Sequence, residues 1–426
     1  MKKTLLTLLC ILCCVGFAFA NGQNDAATEK VKVDIFQFKV EIVDQLDELV
    51  ADFEKEYPNI DVEIDTVGGG QDYNAALRLR MTSGSEPSIF NISGQSQLTD
   101  WYDFLAPLNA EPWVAKSFNG TLNGVTRDGN VYGMPYGQEG YGIIYNKKIL
   151  AAAGYTDKEL AEIDSLEEYK ALFADIESKK DELGIDTVLS FSIGGSAWWT
   201  ASIHSFNSAV ANQEDPSQFI QDLKDGKTSF KDQAVFKEYL KMLDMFFEYS
   251  FDNLSTVEYN DQVTSFATGK AAFLHQGNWT YGMISEIDPE LEMAFMPFPL
   301  GSGKNICTGV PSYWSVNKKK SEAEIQAAKT FLNYMASSQR GHEFLINDVN
   351  FIPAYEVSLT PADPLAKSIL DFSAEGNTVG WYWGELPTGY SDAVGCAVLE
   401  AIQDYNVNHD ADSFYAILEK GLKELL

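Results

Sequence analysis

Val131-Tyr-Gly-Met-Pro-Tyr-Gly-Gln-Glu-Gly-Tyr-Gly-Ile-Ile-Tyr-Asn-Lys-Lys-Ile-Leu150 is the stretch whose reading decides the fold. It starts as a strand, passes through a Gly/Pro-rich bend and re-emerges as an apolar strand at Ile143-Ile144-Tyr145. It then begins a helix that Ala153-Gly154 closes. Gly137, Gly140 and Gly142 free the backbone, while Pro135 removes a donor and ends one element. Between them sit Gln138 and Glu139, polar groups on a bend between two apolar runs. A hinge carrying a few ligand contacts is written this way, and so is an ordinary loop between a helix and a strand. The stretch alone leaves both readings open.

On the N-terminal side, residues 32–36 alternate as a strand, with Val31, Val33 and Ile35 on one face. Ile42, Leu46, Leu49, Val50 and Phe53 then recur at helical spacing, Tyr57-Pro58 ends that helix, and Ile60, Val62 and Ile64 alternate again. Strand, helix and strand in succession predict parallel pairing with a crossover helix. Gly68-Gly69-Gly70 turns into a helix over residues 72–82, residues 89–92 form a short buried strand, and the loop 93–97 follows it. On the C-terminal side, residues 157–183 read as mostly helical, 187–193 as a strand and 230–247 as a helix. Residues 270–274, 292–296 and 308–316 read as strands, and 322–335 as an amphipathic helix. Phe351-Ile352-Pro353 is a further place for the chain to cross between two blocks. The pattern predicts an α/β protein of two lobes, with ligand loops at the carboxyl ends of strands.

The totals narrow the function. The chain has 426 residues, enough for two domains, and a formal net charge of −31. Residues 1–20 hold Lys2 and Lys3 and no acid, so the remainder carries −33. Nucleic acids and anionic membrane surfaces require basic patches, so neither is an expected partner. Lys2-Lys3, the apolar run 5–17 and Ala18-Phe19-Ala20 read as a secretory signal peptide over residues 1–20. Cys10, Cys13 and Cys14 follow Leu9, Leu12 and Cys13, not the small residue a lipid-anchoring site requires. Cleavage after Ala20, without lipidation, is therefore the expectation. Cys307 and Cys396 are read as two unpaired, buried thiols.

Catalytic patterns are sparse. His204, His275, His342 and His409 show no metal-ligand spacing and read as structural or exposed, and no G-x-S-x-G elbow is present. Gly68-Gly69-Gly70 lacks the spacing of a phosphate cradle. No metal and no cofactor is expected. A carboxylate pair such as Glu41 and Glu139 leaves glycoside hydrolysis open.

The aromatic residues, 13% of the chain, are the better signal. Trp198-Trp199, Trp279, Tyr313-Trp314 and Trp381-Tyr382-Trp383 stand beside Gly, Ser or Asn at element ends. A pyranose is held by an aromatic platform under its C–H face and planar polar side chains at its hydroxyl rim. Rim candidates are Phe38 and Lys39 after the first strand, Gln71 and Asp72 after the glycine turn, Asn91 and Gln95 around the third strand, and Glu139 on the bend. An anionic ligand would require an arginine fork, and none of Arg78, Arg80, Arg127 and Arg340 falls in a predicted cleft loop.

Three motifs carry a family resemblance. Residues 132–154, YGMPYGQEGYGIIYNKKILAAAG, are one. Gly269-Lys-Ala-Ala-Phe273 with Gly277-Asn-Trp279 is the second, and Glu86-Pro-Ser-Ile-Phe-Asn91 the third. In order and spacing they resemble the bacterial extracellular solute-binding proteins of sugar importers (family 1, maltose-binding-protein-like), with Ser88 and Phe273 as departures. The resemblance implies the type II periplasmic-binding-protein fold, in which each lobe is a mixed, mostly parallel sheet flanked by helices and the ligand cleft lies between lobes. It implies one lobe of residues 25–137 and 306–351 and a second of 138–305 and 352–426. It also implies ligand contacts at the rim positions above, at Trp279 and in the turn 309–314, including Ser312, Tyr313 and Trp314. The expected function is capture of a sugar or oligosaccharide by hinge closure, without chemistry, by a periplasmic monomer that delivers it to ABC-transporter permease subunits. The alternatives are a secreted carbohydrate-active enzyme and a binding protein for a polyamine or another small solute. Mass spectrometry of the secreted protein should find an unmodified N-terminus at Asn21; a diacylated cysteine at position 10, 13 or 14 would overturn that.

Overall fold

The structure, a computed structural model, describes residues 30–68, 71–118, 120–382, 385 and 392–423. The signal segment, the leader and Trp383 lie outside the described residues. Strands β1 (Val31–Gln37), β2 (Ile60–Thr66), β3 (Ile89–Ile92), β4 (Thr126–Arg127), β5 (Asn130–Val131) and β6 (Met134–Pro135) precede the central bend. After it come β7 (Glu139–Asn146), β8 (Thr187–Ser190), β9 (Ala271–Gly277), β10 (Met293–Met296), β11 (Ile306–Gly309), β12 (Tyr313–Val316) and β13 (Thr378–Val379). Lobe one is built on a sheet of order β2-β1-β3-β12-β6. Lobe two is built on β13-β11-β7-β9-β8, with β10 also paired to β7.

Local signals place the elements. Helix Val43–Glu56 buries Leu46, Leu49, Val50 and Phe53, one face at helical spacing, against the first sheet. Ser165 and Glu168, and Ser321 and Glu324, form reciprocal capping boxes that start the helices Leu166–Ser178 and Glu322–Ser337. β7 is buried along all of its length, with Tyr141, Ile143, Ile144 and Tyr145 in the cores it separates, and occupies the middle of its sheet.

Two expectations about topology are corrected. Both sheets are mixed and flanked by helices as expected, but in the lobe-two sheet antiparallel pairing outweighs parallel. β1 is parallel to β2 and β3, β8 to β9, and β11 to β13, whereas β12 runs antiparallel to both its neighbours and β7 to β9, β10 and β11. The antiparallel members adjoin the inter-lobe crossings, where the chain enters a lobe already oriented by its exit from the other. The lobe boundary also moves. Residues 306–309 were assigned to lobe one, but Cys307 pairs with Tyr141 and Gly309 with Glu139, so β11 belongs to lobe two. The apparent single strand 308–316 is thus two strands in different lobes, joined through Val310, Pro311 and Ser312. Apolar alternation shows that a strand exists without showing which sheet it joins.

Two crossings and the segment around Ile352 lie side by side. Gln138 N donates to Ile352 O at 2.6 Å, its side-chain Nε2 donates to Pro353 O at 2.8 Å, and Tyr136 N donates to Ser312 O at 3.1 Å. Ile352 packs into lobe two, while Ala354 and Tyr355, assigned to that lobe from sequence, pack in the core of lobe one. Cys307 is a buried thiol, but Cys396 is exposed on helix Asp392–Asn408, contrary to the reading of two buried cysteines.

Asp363 caps helix Pro364–Glu375 while almost fully buried: Oδ1 accepts from Leu365 N at 2.7 Å, and Oδ2 has no hydrogen-bond partner. Burial pushes its pKa up to about 7 against the pull of the Leu365 and Ala366 amides. A carboxyl whose pKa rises on folding favours the folded state while protonated, and that contribution is lost as pH climbs from about 4 to about 7. Asp363→Asn keeps the cap and removes the ionisation. It should raise the unfolding free energy at pH 7.5 by up to ~4 kcal/mol, with the gain vanishing below about pH 4. Denaturant titration at several pH values checks it; an unchanged pH profile would sink the assignment.

Candidate functional site

Between the lobes lies a cleft of about 860 Å³. The elements that reach it end there for topological reasons. β1 and β3 deliver their carboxyl ends from lobe one; β9 delivers its carboxyl end, and the antiparallel β7 its amino end, from lobe two. The two walls differ in kind.

Lobe two contributes the aromatic wall: Trp198, Trp199, His204, Tyr259, Trp279 and Trp381. Trp199 and Trp279 have ring centroids 5.7 Å apart, and His204 stands 4.8 Å from Trp279 and stacks on Tyr141 at 4.3 Å. Local backbone explains two of these positions. A Cβ on Gly277 would stand 2.2 Å from the Trp279 ring, so the motif Gly277-Asn278-Trp279 requires glycine to let the indole fold back over the end of β9. The segment Thr200–Ser205 is a π-helical turn, a local widening of the helix that carries His204 in the wall. Burial above all, with the nearby Lys39 ammonium adding to it, holds His204 well below the ordinary histidine pKa, so the ring is neutral at neutral pH.

Lobe one contributes most of the amides, including Gln71, Asn74, Asn91 and Gln97 with Ser93 and Ser312, and the rings of Phe38, Tyr73 and Phe351. Gln97 is fixed in place: its Oε1 accepts from Ser93 N at 2.9 Å and its Nε2 donates to Asn74 Oδ1 at 2.7 Å. At the base, Lys39 Nζ of lobe one lies 2.6 Å from Glu139 Oε1 of lobe two, and each residue is 5% exposed. Burial alone would depress the Lys39 pKa, but the carboxylates of Glu139 and Glu41 outweigh it and hold the ammonium charged. Among the described residues, the donors of two cleft side chains, Asn278 and Tyr259, are buried without a partner. Asn278 is 2% exposed; its Oδ1 accepts from Gly140 N at 2.9 Å, which leaves Nδ2 unpaired, and the Tyr259 hydroxyl is likewise unpaired. An unmet buried donor costs about 1–3 kcal/mol, which a ligand acceptor would recover.

The structure brings together Phe38, Lys39, Gln71, Asn91, Glu139, Trp198, Trp199, Trp279, Ser312 and Trp381. Four expected contacts are displaced from the cleft. Asp72 instead caps helix Tyr73–Ser83, accepting from Ala75 N at 2.7 Å. Gln95 opens helix Gln95–Trp101, not a loop, and its Nε2 donates to Asn123 O and Thr126 O. Tyr313 and Trp314 lie in β12, hydrogen-bonded between β3 and β6, so their side chains enter the lobe-one core; Trp314 is 1% exposed and stacks on Tyr136 at 4.1 Å. Asn91 reaches the cleft from within β3, and its Oδ1 is already used by Phe38 N and the Tyr136 hydroxyl. Sequence reasoning missed Tyr73, His204, Glu258, Tyr259 and Asn278. Asn278 sat inside the quoted motif; His204 was set aside as structural or exposed, and a π-helical turn leaves no spacing signature to find it by.

Two lobes joined by adjacent crossings, with unlike walls facing across a cleft, define a ligand-binding protein that can close by hinge bending. The chain belongs to the family of bacterial extracellular solute-binding proteins, whose model matches residues 39–340. It is 23% identical over 360 residues to the multiple sugar-binding protein of Streptococcus mutans, covering 81% of each chain. It is 22% identical over 348 residues to the melibiose/raffinose/stachyose-binding protein MelE of Bacillus subtilis, covering 79% of this chain and 77% of that one. Among solved structures it resembles the solute-binding protein RafE of Streptococcus pneumoniae in complex with raffinose. That match has a TM-score of 0.74 and 21% identity, covering 93% of this chain and 100% of the other.

Two tryptophans separate wall from core. Trp279→Ala should lower ligand affinity by about 10- to 1000-fold, using roughly 1.4 kcal/mol per decade, with a small shift in denaturant midpoint. Trp314→Ala should do the reverse, costing about 3–5 kcal/mol of stability with affinity little changed. Calorimetric titration and denaturant unfolding of both variants check this; a Trp279→Ala protein that binds normally and unfolds early would overturn its place in the binding wall.

Proposed function

We propose that this solute-binding protein captures an uncharged oligosaccharide on the extracytoplasmic side, closes on it and hands it unaltered to the permease of an ABC importer. The observation that carries the reading is a cleft that sets the indole rings of lobe two across from the amides of lobe one, with further aromatic rings, Phe38 and Tyr73, on the lobe-one side. A pyranose presents C–H groups on its faces and hydroxyls around its rim, so indole rings and planar amides match its two surfaces. The cleft volume of about 860 Å³ supports more than a single ring. Relatives that include a multiple sugar-binding protein and a melibiose/raffinose/stachyose-binding protein support the same ligand class. The family's description as extracellular supports the location. A ligand shifts the open–closed equilibrium only by its extra affinity for the closed form, which here comes from touching both walls at once.

Thermal-shift screening over mono-, di- and oligosaccharides, with polyamines and glycerol phosphates alongside, tests the reading. A neutral oligosaccharide should raise the melting temperature by mass action and, at saturation, lower the radius of gyration measured by X-ray scattering. It should also be recovered uncleaved. A response to polyamines alone, or hydrolysis of the saccharide, would overturn the proposal; binding with an unchanged radius would overturn the hinge closure.

A further inference from the structure

Lys39 is the one lysine or arginine among the described residues that line the cleft. It faces five lining carboxylates, those of Glu41, Glu139, Glu258, Glu286 and Asp348. Asp348 is answered from outside by Arg340 at 2.6 Å, and Glu258 accepts from the Ser196 backbone and hydroxyl at 2.7 and 2.6 Å. Lys39 has its charge met by a 2.6 Å ion pair with Glu139 that spans the base of the cleft between lobes, and its Nζ also lies 5.4 Å from the centre of the Phe351 ring.

We infer that Glu139 is a specificity determinant for ligand charge: by closing Lys39 into a buried ion pair, it withholds the cleft's ammonium from acidic sugars and makes the protein discriminate against uronate- or phosphate-bearing saccharides. The inference rests on the saccharide reading of the cleft. An acidic ligand that reached Lys39 would have to displace Glu139 and strand a buried carboxylate, which is strongly destabilising. It would do so beside Glu41, whose charge already acts on Lys39, and beneath further carboxylates at the mouth. A neutral hydroxyl can accept or donate at the rim of the pair without separating it. Rejection by like charge and by a stranded partner is as much a part of specificity as attraction to the right ligand.

Lys39 is therefore a latent anion site that one substitution uncovers. Glu139→Gln keeps the side-chain volume and an acceptor for Nζ but removes the countercharge, leaving an ammonium that a ligand carboxylate would neutralise. The probes are raffinose and stachyose, and each of them oxidised at galactose C6 to the galacturonate, titrated calorimetrically into the full protein. Wild type should bind a neutral form at least about 30-fold more tightly than its acidic counterpart. Glu139→Gln should narrow that ratio by about 10-fold or more, and Lys39→Met combined with Glu139→Gln, which buries no charge, should restore the wild-type preference. The wild-type ratio requires no substitution, so an acidic form binding within about threefold of the neutral one overturns the inference even if Glu139→Gln unfolds. A folded Glu139→Gln protein with an unchanged ratio also overturns it. If wild type binds none of these probes and no saccharide of the screen, the saccharide reading falls and takes this inference with it; binding of a neutral saccharide without charge discrimination removes the inference alone.

Discussion

Two crossings of the chain and the segment around Ile352 meet at one place, and the cleft exists because they do. Residues 137–138 and 310–312 each pass from one sheet to the other, and Ile352 reaches into lobe two from a segment whose neighbours Phe351, Ala354 and Tyr355 pack in lobe one. They are tied together by main-chain hydrogen bonds from Gln138 to Ile352 and from Tyr136 to Ser312. A single connection would leave two lobes free to tumble as beads on a string. Adjacent connections joined by hydrogen bonds restrict relative motion to bending, because each segment limits the torsions open to its neighbours. The same crossings orient the strands. β7 and β12 begin within three residues of a crossing and run antiparallel to their neighbours, so their amino ends, with Glu139 and Ser312, open toward the cleft.

The two walls obey different physics. The lobe-two wall is rigid because its rings pack on one another: Trp199, His204, Trp279 and Tyr141 form a continuous edge and face network, and His204 stays neutral because it is buried among them. The lobe-one wall is rigid because its amides hydrogen-bond to one another and to the backbone, as Gln97 does with Ser93 and Asn74. Both arrangements cost little reorganisation when a ligand arrives, which is where binding proteins otherwise lose affinity. Asn278 and Tyr259 depart from this economy, since each keeps a buried donor unpaired in the free protein. That standing cost becomes binding energy once a ligand oxygen meets the donor.

Charge sets the limits of what enters. With a net charge of −31 the molecule as a whole repels anions, and the cleft repeats that bias locally, with its lysine already paired. The arginines lie elsewhere: Arg80 pairs with Asp34 and Asp65, and Arg340 with Asp52 and Asp348. The protein thus offers dipoles and aromatic faces to a ligand, and a closed ion pair instead of a free cation.

Much of this was legible in the chain. Apolar periodicity, helix-ending residues such as Tyr57-Pro58 and the glycines around the central bend located the strands and helices, because these depend on neighbours within a few residues. Order and spacing of three motifs located the family, and Phe38, Lys39, Glu139, Trp198, Trp199 and Trp279 were read as cleft residues from their positions at strand ends. What the sequence could not decide was which way a side chain faces once its strand has neighbours. Trp314 looked like Trp279, a tryptophan beside a small residue, yet β12 is held between β3 and β6 and turns its indole inward, while Gly277 lets that of Trp279 lie over the end of β9. Gln95 and Asp72 were lost to helix starts. The Lys39–Glu139 pair joins residues 100 positions apart across two lobes, and no local pattern encodes a contact whose existence depends on how two sheets are placed. Local hydrogen bonding and periodic burial were therefore determined by the sequence alone. The walls of the cleft, the boundary at β11 and the charge at its base were decided by the tertiary structure, because each is a contact between segments that only the packed lobes bring together.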